Sequence, residues 1–155
     1  MRLQRASNCA VVMLLAACGS NDATGPVTLP QGSMSARIDG STWTASTALT
    51  ATYGNGILAA AGVDASLRTI GFGVVATAPG TFTVGPTGTA NGSLTEGSGG
   101  TIWQAVANLG NGTITITSLT PTGASGSFSF TLVANAASGA TGSRTITNGS
   151  FDLRF

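Results

Sequence analysis

From residue 34 onward, apolar and polar residues alternate with period two, and glycine-containing turn dipeptides cut the alternation at short intervals. No other feature restricts the fold as much. Successive strand side chains point to opposite faces, whereas an amphipathic helix needs a period of 3.6. Residues 69–76 show the pattern well, with Ile70, Phe72, Val74 and Ala76 on one face. Residues 113–117 set Ile114 and Ile116 against Thr113, Thr115 and Thr117, and residues 127–134 set Phe128, Phe130 and Leu132 against serine and threonine. Asp39-Gly40, Gly54-Asn55-Gly56 and Asn148-Gly149 are hairpin signals, because Asp-Gly and Asn-Gly suit the type I′ turn. Pro79-Gly80 and Gly110-Asn111-Gly112 mark further turns. Residues 102–109 are expected to form a strand, with Trp103 sharing its side with Ala105, Ala107 and Leu109. Residues 85–100 are so rich in glycine that a long loop is expected there, with at most a short strand near Ser93-Leu94. The expected fold is all-β, an antiparallel β-sandwich of about ten short strands, with a closed β-barrel as the alternative. One apolar side per strand implies antiparallel pairing with the other side solvated.

The segment before residue 34 is different. Arg2 and Arg5 precede the apolar run 10–17, which is too short to cross a bilayer core but suits the apolar part of a secretory leader. Leu15-Ala16-Ala17-Cys18-Gly19-Ser20 resembles the lipobox of bacterial lipoproteins. That resemblance implies cleavage between Ala17 and Cys18, a diacylglyceryl thioether on Cys18 and acylation of its new amino group. Several acyl chains on one residue would make attachment effectively permanent, since each buried methylene contributes about 0.8 kcal/mol. Gly19 stands where an aspartate would hold a lipoprotein in the inner membrane, so the outer membrane is expected by analogy, on its periplasmic or its surface face. Prolines, glycines and the lack of periodicity make residues 18–33 a tether from the lipidated cysteine. As a flexible coil it would reach roughly 20 Å. The expected organisation is a signal peptide at 1–17, lipidated Cys18 and tether at 18–33, and one all-β domain at 34–155.

Charge and residue types then exclude functions. Without the leader, four arginines face five acids, a net charge of −1, which gives no basic footprint for nucleic acid. Only 7% of residues are charged and 42% are hydrophobic, the reverse of a disordered chain. Cys9 leaves with the leader and Cys18 is taken by lipid, so the domain has no disulfide. The chain contains no histidine and no lysine, which removes serine- and cysteine-type triads, most zinc sites and Schiff-base chemistry. The domain's acids, Asp39, Asp64, Glu96 and Asp152, fall at turns, in a loop and on the last strand, a poor basis for a two-carboxylate glycosidase. Gly71-x-Gly73-x-x-Ala76 fits a dinucleotide motif in letters only, since it lies inside a strand. No cofactor and no metal are expected, and no catalytic residue is assigned. Trp43 and Tyr53 are the candidate ligand-binding residues, because an aromatic ring on an open sheet can stack on a sugar; the competing role is core filling. The Thr113-x-Thr115-x-Thr117 ladder is a second, weaker candidate for a flat binding face.

Ala36-x-Ile38-Asp39-Gly40-x-x-Trp43 at the start of the domain, with Gly126-x-Phe128-x-Phe130 and Ile146-Thr147-Asn148-Gly149-x-Phe151 near its end, resembles a family of uncharacterised bacterial lipoproteins that carry a lipobox, a short tether and one β-rich domain. The resemblance implies the fold and the location and brings no catalytic residue with it. The reading as a whole is a membrane-anchored bacterial envelope lipoprotein with a non-enzymatic binding or structural role. The alternative is a carbohydrate- or polymer-binding surface lipoprotein that uses exposed aromatics. The bilayer, through Cys18, is the one partner implied; a protein or carbohydrate partner is left unidentified.

Overall fold

The structure is a computed structural model that describes residues 32–155. The expected leader, its cleavage at Ala17, the lipidation of Cys18 and the tether as far as residue 31 lie outside the described residues. Eleven strands follow one another: β1 (Gly32–Ile38), β2 (Ser41–Thr44), β3 (Ala48–Gly54), β4 (Ile57–Val63), β5 (Thr69–Val75), β6 (Gly80–Val84), β7 (Ala90–Glu96), β8 (Thr101–Ala105), β9 (Asn111–Thr120), β10 (Gly123–Ala134) and β11 (Ser143–Arg154). A single 3₁₀ turn, Ala136–Ser138, separates the last two. Every strand pairing is antiparallel.

The strands form one sheet with the order β2-β1-β11-β10-β8-β7-β5-β4-β3, and β9 and β6 branch from β10. Strand β10 makes the branch because it is long. Residues 123–131 pair with β9, whereas Val133 and Ala134 pair with β8. The sheet therefore has two wings, β2-β1-β11-β10-β9-β6 and β8-β7-β5-β4-β3, and it does not close into a barrel. The inner faces of the wings pack on each other: Phe72 of β5 lies 5.4 Å from Phe128 of β10 and 5.1 Å from Phe151 of β11, ring centre to ring centre. Alternation produces this core directly. Met34, Leu58, Ile70, Leu94, Ile114, Leu132, Ile146 and Leu153 each occupy an inward position and are fully buried.

Two predicted hairpins form on their predicted turns. Asp39 and Gly40 have φ of 48° and 83°, and Asn55 and Gly56 have φ of 52° and 73°. Positive φ at both central residues is what a type I′ turn requires. Elsewhere the structure corrects the sequence reading. The loop expected at 85–100 contains β7, a seven-residue strand between β5 and β8. The strand expected at 102–109 stops at Ala105, after which Val106 and Leu109 exchange two backbone hydrogen bonds of 2.7 and 2.9 Å across a turn. Gly32 and Ser33, read as the end of the tether, already pair with Leu153 and Asp152 in β1. Asn148-Gly149 is no hairpin: it is a bulge within β11, where two residues of β11 oppose one of β1 and one of β10.

Candidate functional face

The outer side of the first wing is a hydroxyl surface. Cross-strand register sets Thr81, Thr115, Ser127, Ser150, Ser35 and Thr44 in one row over β6, β9, β10, β11, β1 and β2. At the usual strand spacing, that row is about 24 Å long. Each residue is there because an outward position on a half-buried sheet favours β-branched or small polar side chains. The hydroxyls are partly tied to one another: Thr81 to Thr115 at 3.1 Å, Ser35 to Ser150 at 3.0 Å, Thr113 to Ser129 at 3.2 Å and Thr117 to Ser125 at 3.2 Å. The predicted threonine ladder of β9 is thus one column of a six-strand array. Beside the β11 bulge, the face holds a shallow depression of about 200 Å³ lined by Asn111, Ser129, Thr131, Thr145 and Thr147.

Most of the charged residues gather elsewhere, and all but Arg37 are paired with one another. Arg144, at the start of β11, donates to Asp39 Oδ2 at 2.9 Å and to Glu96 Oε2 at 3.1 Å, and its guanidinium lies 4.7 Å from the centre of the Trp103 ring. Asp39 also accepts from the Thr145 backbone N–H at 2.8 Å and from the Thr145 hydroxyl at 3.1 Å. Partial burial pushes the Asp39 carboxyl up, but the Thr145 and Arg144 hydrogen bonds together outweigh it and hold the pKa below its ordinary value. This cluster pins the β1–β2 turn to the ends of β7 and β11. Asp64 is buried and makes four bonds, from the N–H groups of Ser66 and Arg68 and from Arg68 Nε and Nη2. It closes the β4–β5 loop. Asp152 pairs with Arg154 at 3.5 Å. All four acids among the described residues thus face an arginine, and no three of them come together as metal ligands.

The two aromatic candidates sit differently. Trp43 is 1% exposed, against Met34 and Gly62 inside the sheet, and its Nε1–H donates to the Arg68 carbonyl at 3.0 Å. It is a core residue and offers no face to a ligand. Tyr53 is half-buried, with its hydroxyl bonded to the Ala76 carbonyl at 3.2 Å and its ring against Phe155. Trp103 is buried too, its Nε1–H bonded to the Thr141 carbonyl at 3.1 Å. The registered hydroxyl array escaped the sequence reading, because it comes from pairings between strands as distant as β1 and β11.

A family model described as "Domain of unknown function (DUF6252)" matches residues 31–152. The match spans the β-domain almost from end to end, and it agrees with the expectation of an uncharacterised family. No curated protein and no solved structure matches the chain.

Proposed function

The chain belongs to the DUF6252 family, a membership that carries no activity with it, and we propose that it is a membrane-anchored bacterial envelope lipoprotein whose β-domain binds or braces rather than catalyses. The anchor reading is supported by the order basic start, apolar run, small residues, Cys18. The non-catalytic reading is supported by the engagement of every described acid with an arginine, which leaves no carboxylate poised as a general base. Mass spectrometry of the mature N-terminal peptide, taken from membranes, tests the anchor. The expected species begins at Cys18 with a diacylglyceryl thioether and an acylated amino group; an unmodified cysteine or an uncleaved leader would refute it.

A second reading has its own supporting observation, the six-residue hydroxyl row. An uncharged row of hydroxyls about 24 Å long suits a neutral polysaccharide, whose hydroxyls exchange hydrogen bonds with serine and threonine along the row without desolvating a charge. With Trp43 in the core, this reading moves from aromatic stacking to the outer face of the first wing. Replacing Thr115 and Ser127 by glutamate should abolish retention on neutral polysaccharide resins if the reading holds. Unchanged retention would refute it.

A further inference from the structure

The two ends of the sheet differ in kind. Gly32 pairs with Leu153, Gly123 pairs with Arg154, and Tyr53 lies 5.8 Å from Phe155, ring to ring. Ile57 pairs with both Gly54 and Val75. These registers place the β3–β4 turn, the β9–β10 turn, the end of β11 and the point where residues 1–31 join the domain at one end of the molecule. The opposite end carries the Asp39–Arg144–Glu96 cluster, Arg37 bonded to the Gly40 carbonyl, and the Asp64–Arg68 loop. Six of the eight charged side chains among the described residues are therefore at the far end. The other two, Asp152 and Arg154, pair with each other on the hydroxyl face of the first wing, at the end where the chain joins.

On the second wing, the end where the chain joins is apolar instead. Ile57 and Val75 are cross-strand neighbours and stand 50% and 52% exposed, two of three large hydrophobic residues so exposed among the described residues. At the same end, but on the inner face of the wing, the Tyr53–Phe155 pair is half-buried against the core, with the tyrosine hydroxyl satisfied by Ala76. Two exposed β-branched side chains, with aromatic rings at the same end and no charged side chain on that wing's end, match the boundary between headgroups and acyl chains.

We infer that this end is a membrane-docking surface, with Ile57, Val75 and the Tyr53–Phe155 pair seated in the headgroup layer of the bilayer that holds Cys18. The inference rests on the lipoprotein reading and deepens it by stating how the domain lies on its membrane. The segment between Cys18 and Gly32 reaches at most about 45 Å when extended. As a coil it reaches roughly 20 Å. Because it joins the domain at this end, a coil of that reach favours this end facing the lipid. Turning the other end down would carry the ion-pair cluster into the headgroups, where its charges would lose water. In the docked orientation the strands stand on the membrane and the hydroxyl face looks sideways into the envelope.

The test uses the full lipidated protein reconstituted in phosphatidylethanolamine–phosphatidylglycerol vesicles. The anchored chain has no other free thiol, so Val75→Cys or, as a far-end control, Thr42→Cys can carry a single fluorophore. Lipid bearing a nitroxide near the headgroup should quench the label at 75 at least three-fold more than the label at 42, and iodide in the buffer should quench it at least three-fold less. Adding Ile57→Ser should reduce the lipid quenching at 75, with the far-ultraviolet circular dichroism unchanged. Equal quenching at both positions in a protein that floats with vesicles and carries the modified Cys18 would overturn the docking and leave the anchor standing. Protection from iodide without lipid quenching would overturn it in favour of a second copy covering this end. An unmodified Cys18 on a protein that does not float would overturn the anchor, and the docking with it.

Discussion

At the scale of single residues, the few charges of this chain work as fasteners. Asp64 is the most committed of them, because a buried carboxylate is tolerated only when its lone pairs are filled, and four donors fill these. Asp64→Ala leaves two backbone N–H groups and part of a guanidinium without partners. The Arg68 side chain is a quarter exposed and recovers some hydration, so the expected loss is about 2–3 kcal/mol in urea unfolding. Asp39 should set the acid limb of stability. Its carboxyl titrates lower in the folded state than in the unfolded chain. Its contribution is therefore present above the unfolded value of about 3.9 and is lost as pH falls through the lower folded value. The urea midpoint of the wild type should drop as the pH is taken from about 5 to below about 4. Asp39→Asn should flatten that drop while lowering the plateau at neutral pH. Arg144 connects this carboxylate to Glu96 and to the Trp103 ring, so its removal should be felt by all three groups at once.

At the scale of elements, the glycines decide where the sequence can be read. Asp39-Gly40 and Asn55-Gly56 are legible as turns because both residues of each pair take positive φ, the requirement that selects them. Asn91-Gly92, Asn111-Gly112 and Asn148-Gly149 carry the same letters and lie inside β7, β9 and β11. Their glycines serve another purpose: they leave room for an aromatic ring. Phe130 sits directly across from Gly112, and Phe128 directly across from Gly149. Phe130 also covers Gly92 from the facing wing, where an added Cβ would come within 2.8 Å of the ring. Rings laid over strand glycines make up for the packing that glycine lacks, but the pairing is made between distant segments and leaves no local mark in the sequence. That is why β7 read as a loop, whereas β5, with its apolar residues in strict alternation, read as a strand. The hydroxyl array was hidden for the same reason: its columns are legible, its rows are not. Gly92→Ala should destabilise the fold by about 1–3 kcal/mol through overpacking against Phe130. In the Gly92→Ala, Phe130→Leu double variant the two costs should fall short of their sum, since the smaller side chain leaves space for the new methyl. A double-mutant cycle by urea unfolding measures the difference.

At the scale of the whole molecule, two wings that diverge at β10 could in principle unfold separately, and the core decides whether they do. Strand pairing joins the wings only through Val133 and Ala134 against Trp103 and Gln104, a narrow seam, to which the Arg144–Glu96 and Trp43–Arg68 bonds add side-chain ties. They share far more through side chains, with Phe72 of one wing set between Phe128 and Phe151 of the other and Phe130 laid over Gly92. Apolar burial scales with area, and the seam contributes little area beside these inner faces. Neither wing can keep its inner face dry alone, so one cooperative transition is expected. The chain carries its own probes for this. Trp43 lies on β2 in the first wing and Trp103 on β8 in the second, both buried and both with their N–H groups bonded. Trp103→Phe leaves a reporter of the first wing, and Trp43→Phe leaves one of the second. Each substitution lowers overall stability by opening a small cavity, so the comparison is made within each variant, between tryptophan fluorescence and far-ultraviolet circular dichroism, which sees every strand. In both variants the two urea transitions should superimpose in midpoint and in slope. A fluorescence midpoint displaced from the circular dichroism midpoint, in opposite directions in the two variants, would mean that the seam at β10 is a boundary between two folding units and that the shared phenylalanine core does not hold the wings together.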